Sequence, residues 1–319
     1  MPQRTDPLPR ENLKKFLKNA WLVLFVLASL AFVFNYFQQQ SDKFTAPLQF
    51  SAPYLALAVV LQTVFWINAA WCWGKIISLT TSARLPLLVS VSHLALTTLG
   101  KYFPGKVWGM AARATLMKQQ GIRINSTLLA TFHEQVIFLH AAVVLSCVLL
   151  AVLVRTEWAW TIGLLGMVSI PVVMLSQDYM VRLFNFLAPK LWFKDQFESW
   201  RSIPKKSYLL LLLAYLGVWL LSGLGFASIY FTFFGADLNA ELLFAMLLAN
   251  AVGNTLGFLA LFAPGGIGVR EAVASGILAG FIPLNDAIML SLLFRLWLTL
   301  SELLGALTLL WPGIRSFRA

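Results

Sequence analysis

Pro264-Gly265-Gly266-Ile267-Gly268-Val269-Arg270-Glu271-Ala272-Val273 and Pro104-Gly105-Lys106-Val107-Trp108-Gly109-Met110-Ala111-Ala112-Arg113 are two versions of one pattern, 160 residues apart, and each interrupts an apolar run. Proline lacks a backbone N–H and glycine weakens a helix interior. A Pro-Gly pair therefore ends one helix, and the helix-forming residues after it start another. In a membrane such a break is tolerated only where it is buried in protein or lines a polar cavity. Paired breaks are how transporters bring ionic groups near the midplane.

The composition supplies the membrane. Of the 319 residues 59% are hydrophobic and 12% charged, with a mean hydropathy of +0.78, against about 25% charged in an average soluble domain. The formal net charge of +11 does not point to nucleic acid, because the cations lie between apolar runs and form no soluble basic face. The apolar run from Ala20 to Phe37 follows a basic N-terminus, yet it is too long for a signal sequence and ends in Gln38-Gln39-Gln40 without a small-residue cleavage site. It reads as a first spanning helix.

Spans are predicted at about 20–37, 53–74, 126–153, 158–177, 208–234 and 286–311. Segments 86–118 and 241–282 are each broken centrally, with halves short for a crossing. Each reads as a re-entrant helical hairpin, or alternatively as two tilted crossings. Both versions return the chain to the side it left.

Cations accumulate on the cytoplasmic side of membrane proteins. Arg4, Arg10, Lys14, Lys15 and Lys18 place the N-terminus inside, and Lys75, Arg84, Lys118 and Arg123 follow it there. The loop with Lys43 alone, the short turn at Arg155 and Glu157, and the loop from Gly235 to Glu241 fall outside. Parity puts the segment from Asp178 to Ser207 and the C-terminal Arg315 and Arg318 inside. Three crossings separate the two hairpins, so they enter from opposite faces.

The expected fold is thus an all-α polytopic membrane protein of about six spanning helices plus two re-entrant hairpins in inverted repeats. Its parts are a basic cytoplasmic N-terminus (1–19), a first half (20–177, hairpin 86–118), a cytoplasmic amphipathic connector (178–207) carrying Trp192, Phe193, Phe197 and Trp200, and a second half (208–319, hairpin 241–282).

A charge at bilayer depth costs on the order of 3 kcal/mol, so retained charges need a reason. Lys101, Lys106 and Arg113 flank the first break, Arg270 and Glu271 follow the second, and Glu134, Arg295 and Glu302 lie in the long helix after each. Arg295 and Glu302 share a helix face about 10 Å apart along the axis, too far for a direct pair. Gly265, Gly266 and Gly268 free the backbone to approach a ligand, and the N–H groups that open the next helix favour an anion. Lys106, Arg113 and Arg270 are candidates to hold an anionic headgroup, with Glu134, Glu271 and Glu302 balancing them or meeting a cationic one. A bland reading stands beside this one, in which Arg270 and Glu271 merely lock the hairpin to the next helix. Lys101 either snorkels to the interface or belongs to the site.

Other chemistry finds little support. His133 and His140 lack a third close ligand, and Cys72 and Cys147 show no metal or disulfide spacing, so no metal is expected. Asn68, Asn250 and Asn254 suit interhelical hydrogen bonds, while Trp71, Trp73, Trp158, Trp160 and Trp311 suit an interfacial belt. GxSxG, Walker A, HExxH and dinucleotide glycine patterns are absent, so no cofactor and no enzyme activity is expected.

At these same residues the chain resembles a known family. Lys101-Tyr102-Phe103-Pro104-Gly105-Lys106-Val107-Trp108 is similar to its KY-[FLI]-PGKVW signature, and Pro264-Gly265-Gly266-Ile267-Gly268-Val269-Arg270-Glu271 to its PGG-x-GVRE signature. The family is the lysylphosphatidylglycerol synthase transmembrane region, or flippase-like domain. The resemblance implies a membrane domain that moves a lipid between leaflets. In two-domain relatives a soluble C-terminal domain attaches the amino acid. Here the sequence reaches Ala319 soon after the last span, so aminoacyl transfer is not expected.

The function expected is that of an inner-membrane lipid translocase for a phospholipid, aminoacyl-phospholipid or lipid-linked glycan, with both termini cytoplasmic. The alternatives are an intramembrane transferase using Glu134 or Glu271 as general base, or a non-transporting subunit of an envelope-assembly complex. The partners implied are the membrane and an anionic or lipid-linked headgroup, with no nucleic acid. Homo-oligomers and contacts with envelope-synthesis enzymes stay open.

Overall fold

The computed structural model describes residues 49–81, 83–101, 108–119, 121–154, 156–191, 202–235, 239–260 and 263–316, with four isolated positions between 31 and 39. Among the described residues there are nine α-helices, one 3-10 turn and no strand. The helices are α1 (Ala52–Thr80), α2 (Leu87–Gly100), α3 (Trp108–Gln119), α4 (Ile124–Leu153), α5 (Ala159–Leu191), α6 (Lys205–Phe234), α7 (Ala240–Leu259), α8 (Val269–Leu278) and α9 (Leu284–Ser316); the 3-10 turn is Pro264–Gly266.

Local chemistry explains several ends. Pro86 and Pro204 sit immediately before α2 and α6, and α1 carries its proline in the first turn, positions where the missing N–H costs nothing. Asn239 caps α7 by accepting from the Leu242 N–H at 2.7 Å. Gly235, at φ 90°, releases the chain from α6.

Six stretches are long and apolar enough to cross a bilayer: Ala52–Thr80, Ile124–Leu153, Ala159–Leu183, Lys205–Phe234, Ala240–Leu259 and Leu284–Gly305. The chain is a multi-pass, all-α membrane protein. Five of the six match the spans read from sequence; of the one expected at 20–37 only residues 31 and 35 are described, both helical. The sixth is α7, a departure from the expected short limb. Its 20 residues reach about 30 Å, whereas α2, α3 and α8 have 14, 12 and 10. Gly253 and Gly257 do not shorten α7, because α8 and the 3-10 turn pack directly on them. The connector begins differently too: α5 continues without interruption to Leu191. Trp192, Phe193, Phe197 and Trp200 lie outside the described residues.

Helices α1 and α6 share the most extensive contact of any pair. They run antiparallel. The Gln49 and Ser51 N–H groups donate to the Phe233 and Thr232 carbonyls at 2.8 and 3.0 Å, Tyr54 stacks on Phe231, and farther along Asn68 Nδ2 donates to the Ala214 carbonyl at 3.3 Å. Around this pair the contacts are reciprocal. Helix α9 packs on α2 and α4 packs on α7; each hairpin's limbs pack together; and α3 meets α4 as α8 meets α9. The main core, with Trp73, Ile76, Ile137, Leu211, Tyr215 and Trp219, fills the space between α1, α4 and α6. Helix α5 stands apart, packed mainly on α4, with Leu165, Val172 and Leu183 exposed. In a chain with this many apolar spans, that face is lipid-facing rather than a defect.

Candidate functional site

The second break meets the end of the helix that leads into the first. The N–H of Gly265, in the second, donates to the carbonyl of Lys101, which ends α2 at the threshold of the first, at 3.0 Å. Residues 102–107, with Pro104, Gly105 and Lys106, lie outside the described residues, so Lys106 has no structural placement here.

Helix α9 holds both sides of this junction. Arg295 Nη1 donates to the Gly265 carbonyl at 3.0 Å, and its Nε lies 3.7 Å from Glu271 Oε1. Two turns on, Glu302 accepts from Lys101 Nζ at 2.5 Å. The spacing that kept Arg295 and Glu302 from pairing with each other lets one helix grip the second break with one residue and the end of α2 with the other. Lys101 is therefore engaged at the site rather than extended to the interface.

Glycine makes the second break possible. Gly265, Gly266 and Gly268 have φ of 61°, 73° and 81°, left-handed values that side chains rarely adopt. A Cβ on Gly266 would lie 2.8 Å from the Gly257 carbonyl oxygen. The N-terminus of α8 is only partly available to a ligand, because Glu271 Oε2 already accepts from the Gly268 N–H at 2.7 Å. The carboxylate caps its own helix and faces Arg295, so Glu271 ties α8 to α9.

Between α6, α7, α8 and α9 lies a cavity of about 10 Å³, with polar lining from Asn250, Asn254, Arg270, Glu271, Ser291 and Arg295 and apolar walls from Phe226 and Phe294. About one water-sized sphere fits. Sequence reasoning placed both asparagines in interhelical bonding. Asn250 does bond across to Ser222 on α6 at 3.2 Å, and Asn254 bonds back to Asn250 at 2.7 Å. Their place beside Arg270 was not anticipated. The signal was present: Asn250, Gly253, Asn254 and Gly257 share one helical stripe, two polar side chains with two positions of close backbone approach.

The first half carries a counterpart of opposite polarity. Arg113 on α3 is fully buried and its Nη1 pairs with Glu134 on α4 at 2.5 Å, just as Glu271 on α8 faces Arg295 on α9. The Arg113 guanidinium lies 3.7 Å over the ring of Trp73, whose indole N–H donates to His93 Nδ1 at 3.1 Å. Trp73 is 0% exposed, which removes it from the interfacial belt; its ring face takes a cation and its N–H takes a histidine. Trp71, Trp158 and Trp160 are exposed. Arg113 and Glu134 thus close against each other in the first half, while Arg270, Glu271, Arg295, Lys101 and Glu302 gather at the junction.

His140 joins three helices, its ring nitrogens 2.6 Å from Tyr208 Oη and 2.9 Å from Ser169 Oγ. Among the described residues no group of three His, Cys, Asp or Glu side chains comes together.

Residues 20–305 match the family described as lysylphosphatidylglycerol synthase TM region. The chain belongs to this family. No curated protein matches it closely. The junction described above lies within the matched lysylphosphatidylglycerol synthase transmembrane region, which associates the protein with lipid-related processes of the cell envelope.

Proposed function

We propose that the protein translocates a lipid headgroup between leaflets, acting without chemical change to the lipid. The observation that carries this reading is the junction between the second break and the end of α2, where Gly265, Lys101, Arg270, Glu271, Arg295 and Glu302 bring three cations and two carboxylates together in a membrane-embedded chain. So many charges at depth are costly unless function retains them. The cations receive an anionic or lipid-linked headgroup, Lys106 joining them by its place in the sequence, while the acyl chains stay in the bilayer.

Inverted repeats supply the access. The reading is supported by the antiparallel pairing of α1 with α6 and by the reciprocal contacts around them. Exchanging α1 to α4 with α6 to α9 carries one set of contacts onto the other, and antiparallel partners require the exchange axis to lie across the helices, in the membrane plane. In the conformation described, the cavity is too small for a phosphate group, so the headgroup enters when the halves part at the junction. Arg113 and Glu134 then serve as the internal lock of the first half. Cation distribution along the chain supports an inner membrane location with both termini in the cytoplasm.

The test is headgroup exchange in proteoliposomes containing fluorescent phospholipids, read by a membrane-impermeant quencher. Wild type is expected to expose both leaflets' label, and Arg270→Ala to lose that exposure. Failure of wild type with every anionic and lipid-linked headgroup offered overturns the proposal.

A further inference from the structure

The residues around the cavity between α6, α7, α8 and α9 include a hydrogen-bond donor without an acceptor and an acceptor without a donor. Asn254 fixes the first. Its Nδ2 donates to the Asn250 main-chain carbonyl and to Asn250 Oδ1, each at 2.7 Å, and a carbonyl can only accept, so the orientation of both amides follows from the network. Asn250 Oδ1 also accepts from Ser222 Oγ at 3.2 Å. That leaves Asn250 Nδ2, on a residue 2% exposed, as a donor with no partner.

The opposite lack lies across the seam, on α8. Glu271 Oε2 accepts from the Gly268 N–H, but Oε1 is buried without a hydrogen-bond donor, Arg295 Nε standing 3.7 Å away. Ser291 on α9 directs its hydroxyl proton to the Ala287 carbonyl at 2.8 Å, so it offers the cavity lone pairs only; Asn254, with its Nδ2 committed, offers Oδ1. Arg270 and Arg295 also line the cavity, but both have interactions elsewhere, so their charge does not select the occupant. One buried donor thus shares the space with acceptors from three helices, and each buried group left unmet is costly.

An occupant must accept from Asn250 and donate to Glu271 at once. A halide only accepts, and a metal or ammonium cation does not accept at all. We propose that the cavity is the binding site of one ordered water molecule, which accepts from Asn250 Nδ2 and donates to Glu271 Oε1 and Ser291 Oγ. Three bonds are the usual count for a buried water, and a cavity of about 10 Å³ has room for one. The water extends a chain of hydrogen bonds from Ser222 on α6, through Asn250 on α7, to the carboxylate that caps α8. It binds the second hairpin's limbs together beside Gly253 and Gly257, where α8 and the 3-10 turn pack on α7. A water changes partners more readily than a packed side chain, so the seam can part without stranding Glu271; that consequence rests on the translocation reading, and the binding itself does not.

The experiment is a crystal structure of the full chain, grown in a lipidic mesophase, at a resolution that shows ordered water. One isolated peak within hydrogen-bond reach of Asn250 Nδ2, Glu271 Oε1 and Ser291 Oγ is expected. An empty cavity overturns the proposal, and so does an Asn250 amide turned so that Nδ2 meets a protein acceptor. Thermal unfolding in dodecyl maltoside gives a second readout, independent of the map. Ala274 lines the cavity from α8, and serine and valine have similar helix propensities. In a wet site Ala274→Val expels the water and leaves its partners unmet, whereas Ala274→Ser brings a hydroxyl in its place, so the first variant should melt below the second. In a dry site the larger apolar side chain fills space and gains packing. An Ala274→Val protein that melts at or above Ala274→Ser therefore overturns the proposal. The peak without lipid exchange in proteoliposomes would leave the water site standing and remove translocation; exchange by a wild type whose cavity is empty would do the reverse.

Discussion

Arg113 and Glu134 show how a charge is kept inside a membrane protein. The pair is buried, closed at 2.5 Å, and backed by the Trp73 ring. Such a pair owes little of its worth to attraction alone, because both ions lose their hydration. Removing one partner is another matter. Glu134→Ala and Arg113→Ala are each expected to destabilise the protein by about 3–5 kcal/mol, because each strands the opposite charge, while the double change to Leu costs less than either single change. Thermal unfolding in detergent of the three variants checks this. Trp73→Phe, which keeps a ring under Arg113 and removes the N–H to His93, should cost only about 1 kcal/mol.

Elements here are shaped by where glycine is required and where it is merely present. Gly266 stands at φ 73° with the Gly257 carbonyl 2.8 Å from its absent Cβ, whereas Gly276, inside α8, has nothing within 4 Å. Gly266→Ala should push the 3-10 turn off α7 and cost more than about 2 kcal/mol. Gly276→Ala should raise stability by about 0.5–1 kcal/mol through helix propensity alone. Equal melting midpoints for the two variants would contradict the assignment of the break. The break itself was legible in Pro264-Gly265-Gly266 because proline and glycine act locally, on the hydrogen bonds of their own turn. The length of α7 was not legible, since a break at the centre of segment 241–282 gives no sign that the limb before it runs 20 residues and is packed along Gly253 and Gly257 by α8. The gathering of charges was half legible. Their positions near the breaks follow from spacing, but the partner of each does not: which of Arg270 or Arg295 faces Glu271, and whether Lys101 reaches Glu302 or the interface, depends on contacts between segments up to 201 residues apart. Trp73 was misread for the same reason, because a tryptophan near a span end looks alike whether its N–H meets headgroups or a histidine on another helix.

At the scale of the whole molecule, the second break is tied to the end of α2 by the Gly265 N–H to the Lys101 carbonyl and by Lys101 to Glu302 on α9, in addition to the packing of α1 on α6 and of α4 on α7. The proposed translocation requires that tie to open and close. Lys101→Glu sets two carboxylates against each other and should slow headgroup exchange about ten-fold or more, while adding Glu302→Lys should restore it to within about three-fold of wild type. Proteoliposome exchange rates for the single and double variants decide that point. Inversion of the halves makes a separate demand on topology, independent of transport. If α1 and α6 are equivalent and antiparallel, the connection that follows α1 and the connection that follows α6 must emerge on opposite faces of the membrane. Arg84 lies in the first connection and Ala240 ends the second, and both are exposed. The native cysteines interfere little: Cys72 is fully buried, and the Cβ of Cys147 faces Gly166 on α5. Arg84→Cys and Ala240→Cys, introduced singly, are treated in intact cells and in inside-out vesicles with a membrane-impermeant maleimide, the unsubstituted chain giving the background. Ala240→Cys should react from the outer face only and Arg84→Cys from the cytoplasmic face only. Reaction of both from one face would make the repeats parallel, place the exchange axis along the membrane normal, and remove the physical basis for presenting one site alternately to the two leaflets.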